Sequence, residues 1–154
     1  MNKRPTWDET FFDTTKAWAK RSSCKHYKVA AAFIRGKQLL QIGYNGPPRG
    51  VDECSDVGCR KEVNGIRLPS GSKRCIGAHA EMNGIVNAAL NGVNLSGCKV
   101  YCIYSPCLEC AKHLVNLRII EFIYLKKYEE EFSEIEDLFK KVGIILRQYK
   151  IRRR

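Results

Sequence analysis

From about residue 79 onward the hydrophobic period switches back and forth between that of a helix and that of a strand, and this alternation constrains the fold more than any other feature. A helix is predicted from about His79 to Asn91, ended near Gly92. "CKVYCIY" then reads as a strand, "CLECAKHLVNLR" as a helix, "IEFIYL" as a strand, "FSEIEDLFKKV" as a helix and "IILRQY" as a strand. Strands joined through helices most simply run parallel, because a hairpin cannot return the chain in the same direction. Upstream, "KVAAAFIR" and "KQLLQIGY" flank Arg35-Gly36-Lys37 and read as a β-hairpin. The first helix is predicted within "PTWDETFFDTTKAWAKRS", with Thr6 and Glu9 as a capping box and Trp7, Phe11 and Trp18 on one face. The expectation is one α/β domain over residues 1–154: a five-stranded mixed sheet with helices on both faces.

Between the hairpin and this alternating region, residues 45–74 follow neither period. The segment is rich in glycine and proline, with basic residues interleaved. A loop this long inside a compact domain is usually functional, or held by something other than a core. Cys54 and Cys59 lie in it and Cys75 follows it directly. Eight cysteines in 154 residues could form a secreted disulfide scaffold, but "MNKRPTWDETFF" lacks the apolar core of a signal peptide. The chain is also long enough to bury a core without such staples. A reducing, cytoplasmic setting is therefore expected, in which close cysteines more often bind metal or do chemistry. No apolar run approaches the ~20 residues of a membrane span. The net charge of +11 favours an anionic partner such as a nucleotide, nucleic acid or anionic membrane surface, or serves solubility alone. The tail "RQYKIRRR" supplies part of it and suits nonspecific nucleic-acid contact.

"SPCLEC" holds a compact pair of metal-type residues. Ser105 is suited to cap a helix and Pro106 to open it. Cys107 and Cys110 then share one face of the first turn, where the helix dipole favours thiolates. His79 opens the preceding helix, and successive helix N-termini of a parallel unit meet at one sheet edge. Three protein ligands leave a fourth zinc position for water, the arrangement of a catalytic site. Glu81, two residues past the histidine, can reach that water. Taken singly, His79 reads as a core or capping histidine and Glu81 as first-turn charge. His-x-Glu followed by Pro-Cys-x-x-Cys is far more specific: it is the zinc nucleobase-deaminase signature.

With "RSSCKHYKVAAAFI", "GYNGPPRG", "HAEMN" and "SPCLECAK" in this order, the chain resembles the deoxycytidylate (dCMP) deaminases of the cytidine deaminase-like superfamily over roughly residues 6–145. The zinc motifs point to the superfamily; "GYNGPPRG" and Asn83 point to the dCMP branch. The resemblance implies a three-layer α/β/α fold and hydrolytic deamination of dCMP to dUMP and ammonia, feeding thymidylate synthesis. Zinc would sit on His79, Cys107 and Cys110, and Glu81 would be the proton carrier. It further implies that Asn45 meets the sugar end of the nucleotide and that the Ala80 N–H helps hold the base; Tyr104 lines the base pocket or simply packs at a strand end. It implies a homo-oligomer, often a hexamer, with dCTP activating and dTTP inhibiting. Some members carry a second, structural zinc, and Cys24 and Cys54 match positions used there. With Cys59 and Cys75 they would make a closed four-thiolate site. His26 is a competing ligand; Cys98 and Cys102 read as core and His113 as no ligand. Arg49, Lys61, Arg67, Lys73 and Arg74 supply cations for a phosphate. The chain departs from the family pattern at Ala30 (often Gly), Gly84 (often Ala) and Ile103 (often Thr). Two other readings stand beside this one: a deaminase acting on single-stranded nucleic acid or tRNA, and an inactive zinc-binding interaction module.

Overall fold

The structure, a computed structural model, describes residues 4–68 and 74–151. Thr6 starts α1 (Trp7–Ala19) with the expected capping box: its hydroxyl accepts from the Glu9 N–H, and the Glu9 carboxylate accepts from the Thr6 N–H at 2.7 Å. The buried face of α1 differs from expectation. Phe11, Phe12, Thr15 and Ala19 are buried, whereas Trp7 and Trp18 are largely exposed. Phe12 and Ala19 define the inward stripe, and the two indoles flank it.

The hairpin follows as β1 (Ala30–Arg35) and β2 (Gln38–Tyr44), antiparallel, with Gly36 at positive φ in the turn. Residues 45–74 are not wholly irregular. They contain the one-turn helix α2 (Cys54–Val57) and a ribbon of β3 (Glu62–Val63) and β4 (Ile66–Arg67). Asn64 and Gly65 both take positive φ between the ribbon strands, the conformation that an Asn-Gly hairpin turn needs. Then come α3 (Ala80–Leu90), β5 (Lys99–Tyr104), α4 (Leu108–Asn116), β6 (Glu121–Lys126), α5 (Phe132–Val142) and β7 (Ile145–Gln148). The sheet order is β2-β1-β5-β6-β7. β5, β6 and β7 are mutually parallel, and β1 is antiparallel to both β2 and β5.

The two sheet faces separate cleanly by strand period. Ala31, Phe33, Val100, Cys102, Phe122 and Tyr124 face the layer of α3, α4 and α5. Ala32, Ile34, Ile42, Tyr101 and Ile123 face α1. The result is the expected three-layer α/β/α arrangement. Two glycines let α3 lie close on the sheet. A Cβ on Gly43 would stand 2.3 Å from the Gly84 nitrogen, and one on Gly84 would stand 2.3 Å from Phe33 Cε2. Phe33 fills the space left beside Gly84; truncating so buried a ring costs about 3–5 kcal/mol. This seating fixes the N-terminal end of α3 at the sheet edge where β5, β6 and β7 end. Among the described residues no helix is long and apolar enough to cross a membrane.

Candidate metal centre

His79 and Cys107 are both N-caps, of α3 and α4 respectively, in extended backbone conformation. Cys107 takes the capping position expected of Ser105: its Sγ accepts from the Cys110 N–H at 3.5 Å. Ser105 is used otherwise, its hydroxyl accepting from the Tyr128 N–H at 2.7 Å. Pro106 therefore precedes the cap and does not open the helix. Glu131, held at φ 60 ahead of α5, accepts from the Leu108 N–H at 3.1 Å and satisfies a further first-turn amide of α4.

His79 Nδ1 lies 3.3 Å from Cys107 Sγ and 3.4 Å from Cys110 Sγ. All three donor atoms fall within 4.8 Å of one another, alone in this among the described His, Cys, Asp and Glu side chains. Tetrahedral zinc with Zn–S about 2.3 Å and Zn–N about 2.05 Å separates nitrogen from sulfur by about 3.5 Å. The observed spacing and the soft N/S donor set thus fit zinc. The electrostatics agree. Cys107 is lowered to about 4, first by its hydrogen bond with Cys110 and then by His79, while Cys110 is pushed up by the same bond and by burial. The hydrogen bond with Cys107 chiefly raises His79 to about 8. Zinc binding would need both thiols as thiolates and would release their protons.

Glu81 is buried beside this triad. Burial raises its carboxyl to about 6, against a hydrogen bond from Cys110 and the charge of His79. Such a group exchanges a proton readily near neutral pH. Ala80 is buried at the first position of α3, where the backbone N–H has no helical partner.

The "GYNG" segment is fastened from two sides. Gly46 and Ala78 exchange backbone hydrogen bonds at 2.8 and 3.2 Å, tying it to the residue before His79. The Asn45 side chain accepts from the Val29 N–H and donates to the Tyr27 carbonyl, each at 2.9 Å. Asn83 Nδ2 donates to the Tyr44 carbonyl at 2.8 Å. Asn45 therefore shapes the backbone ahead of β1 and holds Tyr27 in place. The Tyr27 ring meets Tyr104 edge-on at 5.5 Å, and the Arg67 guanidinium of the ribbon stands 4.9 Å over Tyr27. Tyr27 carries no sequence signal, being one aromatic in a coil. Tyr104 continues the row of Val100 and Cys102, and Cys102 feels the charges of Glu81 and Cys107. Tyr104 itself is half-buried at the end of β5 and packs against the cluster of Ala19, Ala30 and Ile103, with Tyr27 and Lys126 beside its ring. Lys61 is buried, and its charge opposes protonation of His79. Arg49 and Arg74 are exposed; Lys73 and the tail Arg152, Arg153 and Arg154 lie outside the described residues.

Burial pushes the Cys54 thiol up, and Cys24, Cys59 and Cys75 each add to that push, so the four thiols are electrostatic neighbours. They do not close to the spacing of the His79 group. His26 Nε2 lies 2.7 Å from a Glu62 carboxylate oxygen, without hydrogen-bond alignment. Cys98 and Cys102 are buried in the core, and His113 faces Glu109 on the outside of α4.

Residues 5–126 match the family described as the cytidine and deoxycytidylate deaminase zinc-binding region. The chain belongs to this deaminase family. It is 33% identical over 146 residues to the deoxycytidylate deaminase of Schizosaccharomyces pombe, covering 95% of this chain but only 45% of that one. It is 32% identical over 129 residues to the deoxycytidylate deaminase of Mycobacterium phage D29, covering 80% of this chain and 98% of the phage protein. The crystal structure of the dCMP deaminase of cyanophage S-TIM5 in complex with dCMP and dUMP superposes with a TM-score of 0.77 at 23% identity, covering 96% and 100% of the two chains. Within the deaminase family, the chain's departures now have a packing account. Ala30 and Ile103 pack together with Ala19 on the α1 face, away from the metal centre. Gly84 makes room for Phe33.

Proposed function

We propose that this chain is a zinc-dependent deaminase that converts dCMP to dUMP and ammonia. The observation that carries the reading is the meeting of His79, Cys107 and Cys110 beside the buried carboxyl of Glu81. His79, Cys107 and Cys110 would hold the zinc, which when bound supplies an acidified water. Glu81 takes a proton on its carboxylate and returns protons to N3 and to the exocyclic amine of cytosine. Water oxygen ends on C4 and ammonia leaves, which balances the reaction. The Ala80 N–H and the Tyr104 ring orient the base, and Asn45 holds the wall that meets the sugar. Arg67, poised over Tyr27, and Lys61, close to His79, supply cations for the phosphate.

Cys24, Cys54, Cys59 and Cys75 hold a second, structural zinc in this reading, supported by their mutual electrostatic reach. Four thiolates satisfy a closed tetrahedral site and would order the segment between β2 and α3. We place the protein in the cytoplasm, consistent with eight free thiols. It acts in pyrimidine nucleotide supply as a homo-oligomer, of which the hexamer is the form the resemblance implies, with dCTP and dTTP as effectors. Val86 and Leu90, exposed one turn apart on α3, support self-association.

The +11 charge favours one second reading, a deaminase of single-stranded nucleic acid. Ammonia release measured across dCMP, dCTP, cytidine, guanine and a cytosine-containing oligonucleotide separates the two. Turnover of dCMP at physiological salt is expected, with oligonucleotide binding weak and strongly salt-sensitive, since each phosphate contact of a single strand adds about −0.7 to the log–log salt slope. Faster conversion of oligonucleotide cytosines would put the nucleic-acid reading in its place.

A further inference from the structure

Among the described non-glycine residues, Asn64, Arg118 and Glu131 alone take positive φ. Asn64 sits in the turn of the β3–β4 ribbon. Arg118 follows Leu117, the C-cap of α4, where a left-handed residue commonly ends a helix. Neither account fits Glu131. It is the N-cap of α5, with φ 60 and ψ 10, and its side chain makes no hydrogen bond to its own helix. The other N-caps, Thr6, Glu53, His79 and Cys107, are extended, as a helix start ordinarily is. A left-handed glutamate carries a steric cost that glycine would avoid, and it persists only where its surroundings hold it.

What holds it is the helix that carries Cys110. The Glu131 carboxylate accepts from the Leu108 N–H at 3.1 Å. The two glutamates before it are engaged within their own turn: Glu129 pairs with Lys127, and Glu130 accepts from the Tyr128 hydroxyl. Phe132, buried and edge-on to Tyr124 at 5.9 Å, seats the start of α5. Three residues before Leu108, the Ser105 hydroxyl accepts from the Tyr128 N–H. The turn between β6 and α5 thus grips the chain at 105 and 108, on either side of Cys107. The Leu108 N–H belongs to the planar peptide that follows Cys107. Rotation about ψ of Cys107 swings that N–H, so a hydrogen bond on it fixes the angle, here 164°. The same rotation turns α4 against the Cys107 side chain, and Cys110 rides on the first turn of α4. The Glu131 contact therefore bears on the spacing of two sulfurs, one on the cap and one on the helix.

We propose that Glu131 is a positioning residue of the metal centre: by holding the Leu108 N–H it sets the backbone of Cys107, and so keeps the Cys107 and Cys110 sulfurs at zinc-binding distance. The left-handed backbone of Glu131 carries its carboxylate away from its own first turn and toward α4. The role rests on the zinc reading of His79, Cys107 and Cys110.

Glu131→Gly separates this role from a merely structural one. Glycine takes the left-handed conformation without steric cost, so a structural position would tolerate it or gain from it. Zinc affinity is measured by chelator competition on the full chain, followed as the release step that Cys107→Ser abolishes. In Glu131→Gly it should fall by about 10- to 100-fold, the range for partners that orient metal ligands. The cobalt-substituted variant should show shifted visible bands, while its metal-free form melts no lower than metal-free parent. Glu131→Gln keeps an acceptor oxygen and should stay within about threefold of the parent. Glu129→Gln and Glu130→Gln should do the same. An affinity of Glu131→Gly within twofold of the parent, with unchanged cobalt bands, overturns the proposal. So does an equal loss in Glu131→Gln, which would assign the effect to charge in place of the hydrogen bond. Zinc release from the parent that Cys107→Ser leaves untouched would instead overturn the zinc reading itself, and this role with it.

Discussion

His79 Nδ1 lies 3.3 Å from Cys107 Sγ, and each of these residues is the N-cap of its own helix. Two helix ends thus meet tip to tip, each presenting its positive pole to the donor atoms. Cys107 does double duty as cap and metal ligand, and the two roles can be separated. Serine is a good cap but a poor zinc ligand, and alanine is neither. Cys107→Ser should lose zinc and activity together while its metal-free form stays as stable as metal-free parent protein. Cys107→Ala should melt lower by about 1 kcal/mol more. Elemental analysis and thermal denaturation of metal-free samples check both; equal destabilisation by serine and alanine would deny the cap its role.

Glu81→Gln keeps the size of the side chain and removes the proton carrier. Zinc content should remain at the parent level while turnover falls by about 10²–10⁴-fold, the range for lost general acid–base work. Near-normal turnover in a zinc-replete variant would refute the assigned role.

The alternation of periods after residue 79 made α3, β5, α4, β6, α5 and β7 legible, and with them the meeting of His79 with Cys107 and Cys110. Pattern arguments reach that far because long amphipathic elements are set by burial. They failed where tertiary contacts decide. Ser105 looked like the cap, but its hydroxyl is claimed by the Tyr128 N–H across the β6–α5 turn. Trp7 and Trp18 read as one apolar helical face with Phe11, yet Phe12 and Ala19 join Phe11 on the buried side and both indoles are exposed. The ribbon at Glu62–Arg67 was hidden because two-residue strands show no period, although Asn64-Gly65 was a readable turn signal. Nothing in the sequence could pair Arg67 with Tyr27, because the β3–β4 ribbon brings them together.

Arg67→Gln should act on the phosphate end of the substrate. Hydrogen bonds to charged groups are worth about 1.5–3 kcal/mol, which corresponds to about ten- to a hundredfold in KM. KM for dCMP should rise by that factor with kcat nearly unchanged. Steady-state rates with deoxycytidine, which has no phosphate, should not change. An equal effect on both substrates would mean that Arg67 only supports Tyr27.

The α1 helix is moored to the far strands through charge. Arg147 donates to Asp8 at 3.0 Å and to Glu121 at 2.8 Å, and the Tyr101 hydroxyl donates to Asp8 at 2.7 Å. Burial alone would raise both carboxyls. The hydrogen bonds from Arg147 and Tyr101 at Asp8, and from Lys99 and Arg147 at Glu121, outweigh it, and both lie below their ordinary values of 3.8 and 4.5. Their contribution to stability is therefore complete above those ordinary values and is lost as pH falls through the lower folded-state values. Chemical denaturation between pH 7 and 2 should show an acid-side loss that is shallower in Asp8→Asn. An unchanged slope would remove Asp8 from the acid transition.

Two zinc ions per chain are expected in protein prepared without chelator. Cys54→Ser or Cys75→Ser should remove one ion and lower thermal stability, because structural metal binding is coupled to folding. A content of one ion, untouched by either substitution, would leave the loop cysteines as plain thiols.

The contact between Gly84 and Phe33 bears on which sequences this fold can reach. Alanine at position 84 would place a methyl carbon 2.3 Å from the Phe33 ring edge, inside the buried core. Shrinking Phe33 alone leaves a void. Each single change is thus disfavoured, while the paired exchange of a smaller residue at 33 for alanine at 84 conserves volume. The two positions are therefore energetically coupled: the cost of changing both is expected to be less than the sum of the two single costs.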